Sequence, residues 1–209
     1  MNTLVYLKEL YDYSEPIFLK DIRIGRKSKT AIRKELSRGV EKGLISRKKQ
    51  GVYYFEENSD IPKDLSFENV VEIKFIKKDC GLPGLYFDIY GYYTGQTFLH
   101  LIGISQQVPA VLEITTNNTS CKRVYQFNNF KAVLRKGRIK IDRFNYQILQ
   151  FLDMFNFLSD EEVREHKQLI YDYILKCGFS RRDFEKYIVL YKLRVNRLIT
   201  MEGLLNAFR

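Results

Sequence analysis

No apolar run in this chain approaches the roughly 20 residues needed to cross a bilayer, and histidine is nearly absent, represented only by His100 and His166. The three cysteines, Cys80, Cys121 and Cys177, lie far apart. They have no paired spacing of the kind zinc sites use, and an odd number cannot all form internal disulfides. They read as reduced structural thiols of a cytosolic protein. No serine-based triad, zinc motif or phosphate loop is present, and the Gly81-Leu82-Pro83-Gly84 stretch does not have the spacing of a nucleotide fingerprint. His100 lies in an apolar segment and reads as a packed residue, whereas His166 lies in a charged one and reads as solvent-facing. The opening Met-Asn-Thr-Leu-Val-Tyr-Leu-Lys-Glu-Leu mixes charge with apolar groups too early for a signal peptide. These absences predict a cytoplasmic protein that is not an enzyme, with no cofactor, no metal and no membrane partner.

What the chain has in excess is positive charge. Its 209 residues carry a formal net charge of +10, and 45% of them are hydrophobic, enough for the cores of one small and one medium domain. A surplus of that size favours polyanionic partners, because Lys and Arg on phosphates release condensed counterions. Between Lys20 and Gln50 there are twelve Lys and Arg against three acids, Asp21, Glu35 and Glu41. The charge is therefore concentrated near the N-terminus.

That region reads as a small fold of its own. Residues 3 to 11 have helical spacing, with Leu4, Leu7 and Leu10 inward, and Ile17, Phe18 and Ile22 open a second short apolar segment after Pro16. Gly25-Arg26-Lys27 makes a turn into Ser28, a good helix N-cap. In the helix that follows, Ile32, Leu36 and Val40 share one face, while Lys27, Thr30, Lys34, Ser37 and Arg38 fall opposite. Gly39 is a costly residue inside a helix and predicts an early end or a bend; Gly43 supplies the terminating glycine. Leu44 to Arg47, a Lys48-Lys49-Gln50-Gly51 turn and Val52 to Phe55 read as a hairpin with a basic tip.

Three helices and a basic hairpin are the order of a winged helix-turn-helix. Its third helix would enter the major groove of DNA, and its wing would meet phosphate or the minor groove. The predicted DNA-binding residues are Lys27, Ser28, Lys29, Thr30, Arg33, Lys34, Ser37, Arg38, Arg47, Lys48 and Lys49. The polar, proline-interrupted stretch from Glu56 to Asp64 separates a domain at 1–60 from a second one at 61–209.

The second domain begins with strand-like segments and ends helical. Val70 to Ile76 alternates like a strand or a short helix face; Thr94 caps a short helix closed by Gly103. Ala110 to Thr115 is the clearest strand, followed after Asn117-Asn118 by a second at Cys121 to Phe127 and further strand around Lys131 to Ile141. Tyr146 to Phe157 is one helix, Ser159 with Glu162 forms a capping box for another that runs to Gly178, and Ser180 opens a last helix with Phe184, Ile188, Tyr191, Val195 and Leu198 inward. The expected fold class is α+β: an N-terminal winged helix-turn-helix followed by an α/β domain with a helical C-terminus.

A second basic cluster comprises Lys122, Arg123, Lys131, Arg135, Lys136, Arg138, Lys140 and Arg143, with Asp142 the sole acid among them. It reads either as a charge-protected sheet edge or as a further surface for phosphate, RNA or a protein partner. A metal-dependent nuclease is the enzymatic alternative. It would use Glu72 and Lys74 on one face of a strand, with Asp60 or Asp64 as a second ligand. A protein that only binds other proteins is the third class.

The segment from Tyr93-Thr94-Gly95-Gln96-Thr97-Phe98 through Gly103 and Gln107-Val108-Pro109 to the strand ending at Thr116-Asn117 resembles the signature of AbiEi-type antitoxins, components of abortive-infection, type IV toxin–antitoxin operons. The helix from Ser28, Gly43 and the hairpin ending in Gly51-Val52-Tyr53-Tyr54 resemble that family's winged helix, so the likeness extends over roughly residues 15 to 135. Two departures stand out: Ser105-Gln106 before Gln107, in place of a threonine, and Gly39 where relatives generally carry leucine. The resemblance implies an autorepressor that binds double-stranded operator DNA and counteracts a nucleotidyltransferase-like toxin, with no stable complex required. A stand-alone winged-helix regulator is the alternative.

Overall fold

The computed structural model describes residues 2–56, 65–78, 88–127 and 129–209. The expected linker, Glu56 to Asp64, lies outside the described residues except for Glu56, as do the Gly81–Gly84 loop and Cys80. The fold is mixed α+β, and the chain divides into two compact units, Met1–Ile73 and Lys74–Arg209. The division falls later than the acidic stretch because helix α3 (Phe67–Phe75) spans it. No described helix is long and apolar enough to cross a membrane.

In the first unit, helix α1 (Thr3–Leu10) starts at Asn2, whose side chain accepts from the Leu4 amide. Its inward face is Thr3 and Leu7, with Leu4 half-buried; Leu10 is exposed, contrary to its helical spacing. Strand β1 (Ile17–Phe18) follows where a second helix was expected. Both its side chains are buried and both residues pair antiparallel with the second hairpin strand, Ile17 with Tyr53 and Phe18 with Val52. Leu19 to Asp21 is a turn, so no complete helix stands between β1 and α2 (Lys29–Glu41).

Helix α2 is capped as its sequence dictates. Ser28 accepts from the Ala31 amide at 3.2 Å, and Gly43, at φ +66°, turns the chain out of the helix. Ile32 and Leu36 are fully buried, each contributing about 1.5–3 kcal/mol of transfer free energy. Gly39 does not end the helix, which continues to Glu41. It is buried, and a Cβ there would lie 3.0 Å from Leu4 Cδ1 and 3.1 Å from Ile45 Cγ2. The glycine thus lets α1 and the start of the hairpin approach the helix axis. Strands β2 (Ser46–Lys49) and β3 (Val52–Tyr54) complete a three-stranded antiparallel sheet in the order β1-β3-β2, with a bulge between Arg47 and Lys49 and Gly51 at φ +78° in the turn.

The second unit contains a two-stranded pair, β4 (Lys77–Lys78) with β5 (Asp88–Ile89), and a four-stranded sheet. The latter is ordered β6 (Gly91–Tyr93), β7 (Leu112–Thr116), β9 (Phe130–Lys136), β8 (Arg123–Phe127), with β7 and β9 parallel and the other pairs antiparallel. One face buries Ile114, Ala132 and Leu134, and there Tyr125 meets Phe75 edge-on at 5.0 Å. The other face sends Tyr92 and Thr115 to Asp153 on helix α5 (Tyr146–Met154): the Tyr92 hydroxyl donates to the carboxylate at 2.7 Å and that of Thr115 at 3.4 Å. Burial pushes the Asp153 carboxyl up, and the Tyr92 hydrogen bond opposes the shift.

Between β6 and β7, helix α4 (Gly95–Leu101) is locked to the sheet by Glu113. The Glu113 carboxylate accepts from the Gln96 amide at 2.9 Å and from Arg135 at 2.8 Å, while the Glu113 amide donates to Thr97 Oγ1 at 2.9 Å. A Cβ on residue 95 would overlap that carboxylate, which accounts for the glycine after Thr94. His100 is half-buried with Nδ1 3.2 Å from the Ser105 carbonyl, a packing position. The Thr94 to Thr116 segment is therefore an interlock of helix and strand.

The C-terminal helices are shorter than their periodicity suggests. The capping box at Ser159 is present and opens α6 (Asp160–Glu165), but the chain breaks at His166 before α7 (Lys167–Cys177). The last helix divides into α8 (Arg181–Ile188) and α9 (Leu193–Met201), followed by a 3₁₀ turn at Leu204–Ala207. All five residues expected inward on it are buried. Around Phe151 the rings of Phe155 (5.3 Å) and Phe179 (5.4 Å) form an aromatic centre, and Phe184 meets Phe208 at 5.0 Å.

Candidate nucleic-acid interface

The basic residues expected to meet DNA separate into two groups. Three of the expected positions work inside the fold. Lys27 Nζ sits 2.7 and 2.8 Å from the two Glu35 carboxylate oxygens, and Thr3 donates its backbone N–H to the same carboxylate at 3.1 Å. Ser28 is used as the helix cap. Lys29 Nζ donates to the carbonyls of Leu19, Lys20 and Ile22 at 2.7–2.8 Å, and burial is the first cause that lowers its pKa. With Arg23, which donates to the Lys20 and Ile22 carbonyls, it satisfies the turn that stands where a helix was expected.

The second group stands at the surface. On α2, Thr30, Arg33, Lys34 and Arg38 are exposed and Ser37 is half-exposed. At about 100° per residue they span one side of the helix, opposite Ile32, Leu36 and Gly39. Glu41 falls on the same side, one turn beyond Ser37, and limits the basic face at its C-terminal end. Next along the chain, the hairpin presents exposed Arg47 and Lys49 and half-exposed Lys48 around its two-residue turn. Arg26, exposed on the turn before Ser28, was not among the predicted residues; the Gly25-Arg26-Lys27 turn was the signal for it. This surface has the donors and charge to contact phosphates from two elements, and on α2 side chains long enough to reach base edges.

Glu35 ties α1 to α2 and makes the face pH-sensitive from behind. Hydrogen bonds from Lys27, then from Thr3, hold its carboxyl down at about 2, below the ordinary 4.5. A depressed carboxylate contributes stability that is present above its unfolded value and lost as pH falls through the folded one. The first unit should therefore lose stability between about pH 4.5 and 2. Acid titration followed by circular dichroism should show a flatter profile for Glu35→Gln over that window; superimposable profiles would exclude this coupling.

The second cluster divides likewise. Arg135 pairs with Glu113 and lies 5.4 Å from the Phe157 ring centre. Arg138 approaches Asp153 at 3.5 Å, donates to the Leu190 carbonyl at 3.1 Å and covers the Tyr191 ring at 4.5 Å. Lys122, Arg123, Lys131, Lys136, Lys140 and Arg143 remain exposed, with Arg123 on the edge strand β8 and bonded to the Asn118 carbonyl. The strand face expected to carry Glu72 and Lys74 does not form. Residues 67–75 are helical, so Glu72 and Lys74 point about 160° apart, and Lys74 Nζ lies 4.3 Å from the centre of the Tyr125 ring. The nuclease's other proposed ligands, Asp60 and Asp64, lie outside the described residues.

Compared with known proteins, the chain matches no protein-family model and no curated protein.

Proposed function

We propose that this protein is a DNA-binding transcriptional repressor whose first unit works as a winged helix, with α2 as the recognition helix and the β2–β3 hairpin as the wing. The observation that carries the reading is the exposed Thr30/Arg33/Lys34/Ser37/Arg38 face, set beside a basic two-residue hairpin and backed by a buried apolar side. The β1-β3-β2 sheet order, with the first hairpin strand at an edge, supports it. The missing helix before α2 is replaced by the Leu19–Asp21 turn that Lys29 holds. On the resemblance of residues 93–117 to AbiEi-type antitoxins, we extend the reading to an autorepressor of a type IV toxin–antitoxin operon that opposes a nucleotidyltransferase-like toxin.

The wing contacts phosphates and α2 supplies sequence preference. Replacing Arg47, Lys48 and Lys49 by alanine should weaken binding to operator and scrambled DNA alike, and should reduce the salt slope by about 1 for each phosphate no longer neutralised. Titrations at several salt concentrations measure this; an unchanged slope would remove the hairpin from the interface. Toxin neutralisation resides in the second unit. A chain with the α2 face disabled, expressed from an unrelated promoter, should still rescue cells from the toxin, and failure to rescue despite normal folding would refute that division.

A further inference from the structure

Phe144 is 80% exposed, yet its backbone is anchored. Asp142 Oδ1 accepts from the amides of Phe144 (2.9 Å) and Asn145 (3.1 Å), and Asn145 Oδ1 accepts from the Asp142 amide at 2.9 Å. Asn145 Nδ2 donates to the Lys140 carbonyl at 2.9 Å, and Asn117 clamps Ile141 through both its N–H (2.9 Å) and its carbonyl (2.7 Å). Ile141 is itself buried, so the turn is anchored in the core beneath it. The sole acid of the segment, Asp142, is thus spent on backbone amides. The Arg143 guanidinium lies 4.7 Å from the Phe144 ring centre, and exposed Lys140 and Lys136 flank the turn along the chain.

An exposed aromatic ring on an anchored turn, beside exposed cations, buries little apolar surface in the fold that displays it. Base stacking on aromatics combined with a positive track for the backbone is how single strands are held. In a duplex the base faces are already covered by their neighbours, so a fixed ring would add little to phosphate contacts. A lone ring is also too small an apolar surface to anchor a membrane, and Ile139 and Ile141 beside it are turned inward.

We propose that the 136–144 segment is a binding site for single-stranded nucleic acid, in which an unpaired base stacks on Phe144 while its flanking phosphates meet Lys136, Lys140 and Arg143. The site belongs to the second unit and α2 to the first, and the proposal is independent of the repressor reading.

The chain contains no tryptophan, so Phe144→Trp in the full-length protein places a single indole at the site. Titration with oligouridine and oligodeoxyuridine of about 12 nucleotides should quench its fluorescence saturably, and a duplex of equal length should not at the same concentrations. Quenching by one of the two strands more than the other assigns ribose or deoxyribose. Quenching should persist when Lys34 and Arg38 on α2 are both replaced by glutamate, which separates failure here from failure of the repressor reading. Phe144→Ala should weaken binding of a labelled single strand by about tenfold or more, with an unchanged melting temperature. Equal quenching by duplex, no quenching by either strand, or a blue shift on phosphatidylserine vesicles instead would overturn the proposal.

Discussion

Reversing the charge on the recognition face, with Lys34→Glu and Arg38→Glu in one chain, is expected to lower affinity for the protein's own upstream DNA by about three orders of magnitude. A side chain that reads a base edge contributes about 1–3 kcal/mol, and each new carboxylate adds repulsion against the phosphates. Neither residue supports the fold: both are exposed, and surface substitutions of this kind usually stay within about 0.5 kcal/mol. The double variant should therefore melt like the parent while losing DNA. Lys29→Ala should behave in the opposite way, since it takes the ammonium donor from the Leu19 carbonyl, leaves Arg23 alone on those of Lys20 and Ile22, and weakens the turn before α2. Anisotropy titrations and thermal melts on both variants separate recognition from folding. A Lys34/Arg38 variant that binds as the parent does would remove α2 from the interface.

Gly91→Ala is the substitution expected to damage the fold most. A Cβ at that position would overlap the Phe75 carbonyl oxygen and approach the Thr115 carbonyl oxygen to 2.9 Å. Both obstacles are backbone, so no side chain can swing aside. The strand cannot slide away either: Gly91 pairs with Thr116, and the next residue, Tyr92, pairs with Thr115 and delivers its hydroxyl to buried Asp153. A destabilisation of at least about 3 kcal/mol follows, at the upper end of overpacking costs. Chemical denaturation of the variant should show a markedly lower midpoint or no soluble folded protein; a midpoint equal to the parent's would mean that β6 relaxes without cost.

Local chemistry was legible where local chemistry decides. Ser28, Gly43 and the Ser159–Glu162 box act where the sequence places them, and the basic hairpin forms around Gly51. The expected second helix failed because Ile17 and Phe18 satisfy their backbone with Val52 and Tyr53, a long-range pairing that leaves no trace in local periodicity. Helical spacing placed Leu10 inward, but the end of α1 leaves it exposed while Thr3 is buried beside Glu35. Gly39, read as a weak point of α2, is a contact point for Leu4 and Ile45. In the basic face the sequence carried the charge but not its assignment. Lys27 and Lys29 look like Lys34 in composition, and only the carboxylate and carbonyls they meet show that their charge is consumed within the fold. Arg135 and Arg138 were indistinguishable from Lys136 and Lys140 for the same reason.

The most direct test of the account is binding of the purified full-length protein to its own upstream DNA, against a scrambled duplex of equal length, at two salt concentrations. The account predicts a clear preference for the upstream sequence and affinities for both duplexes that fall steeply with salt. Equal binding to the two duplexes, or none, would contradict the reading of α2 as a recognition helix.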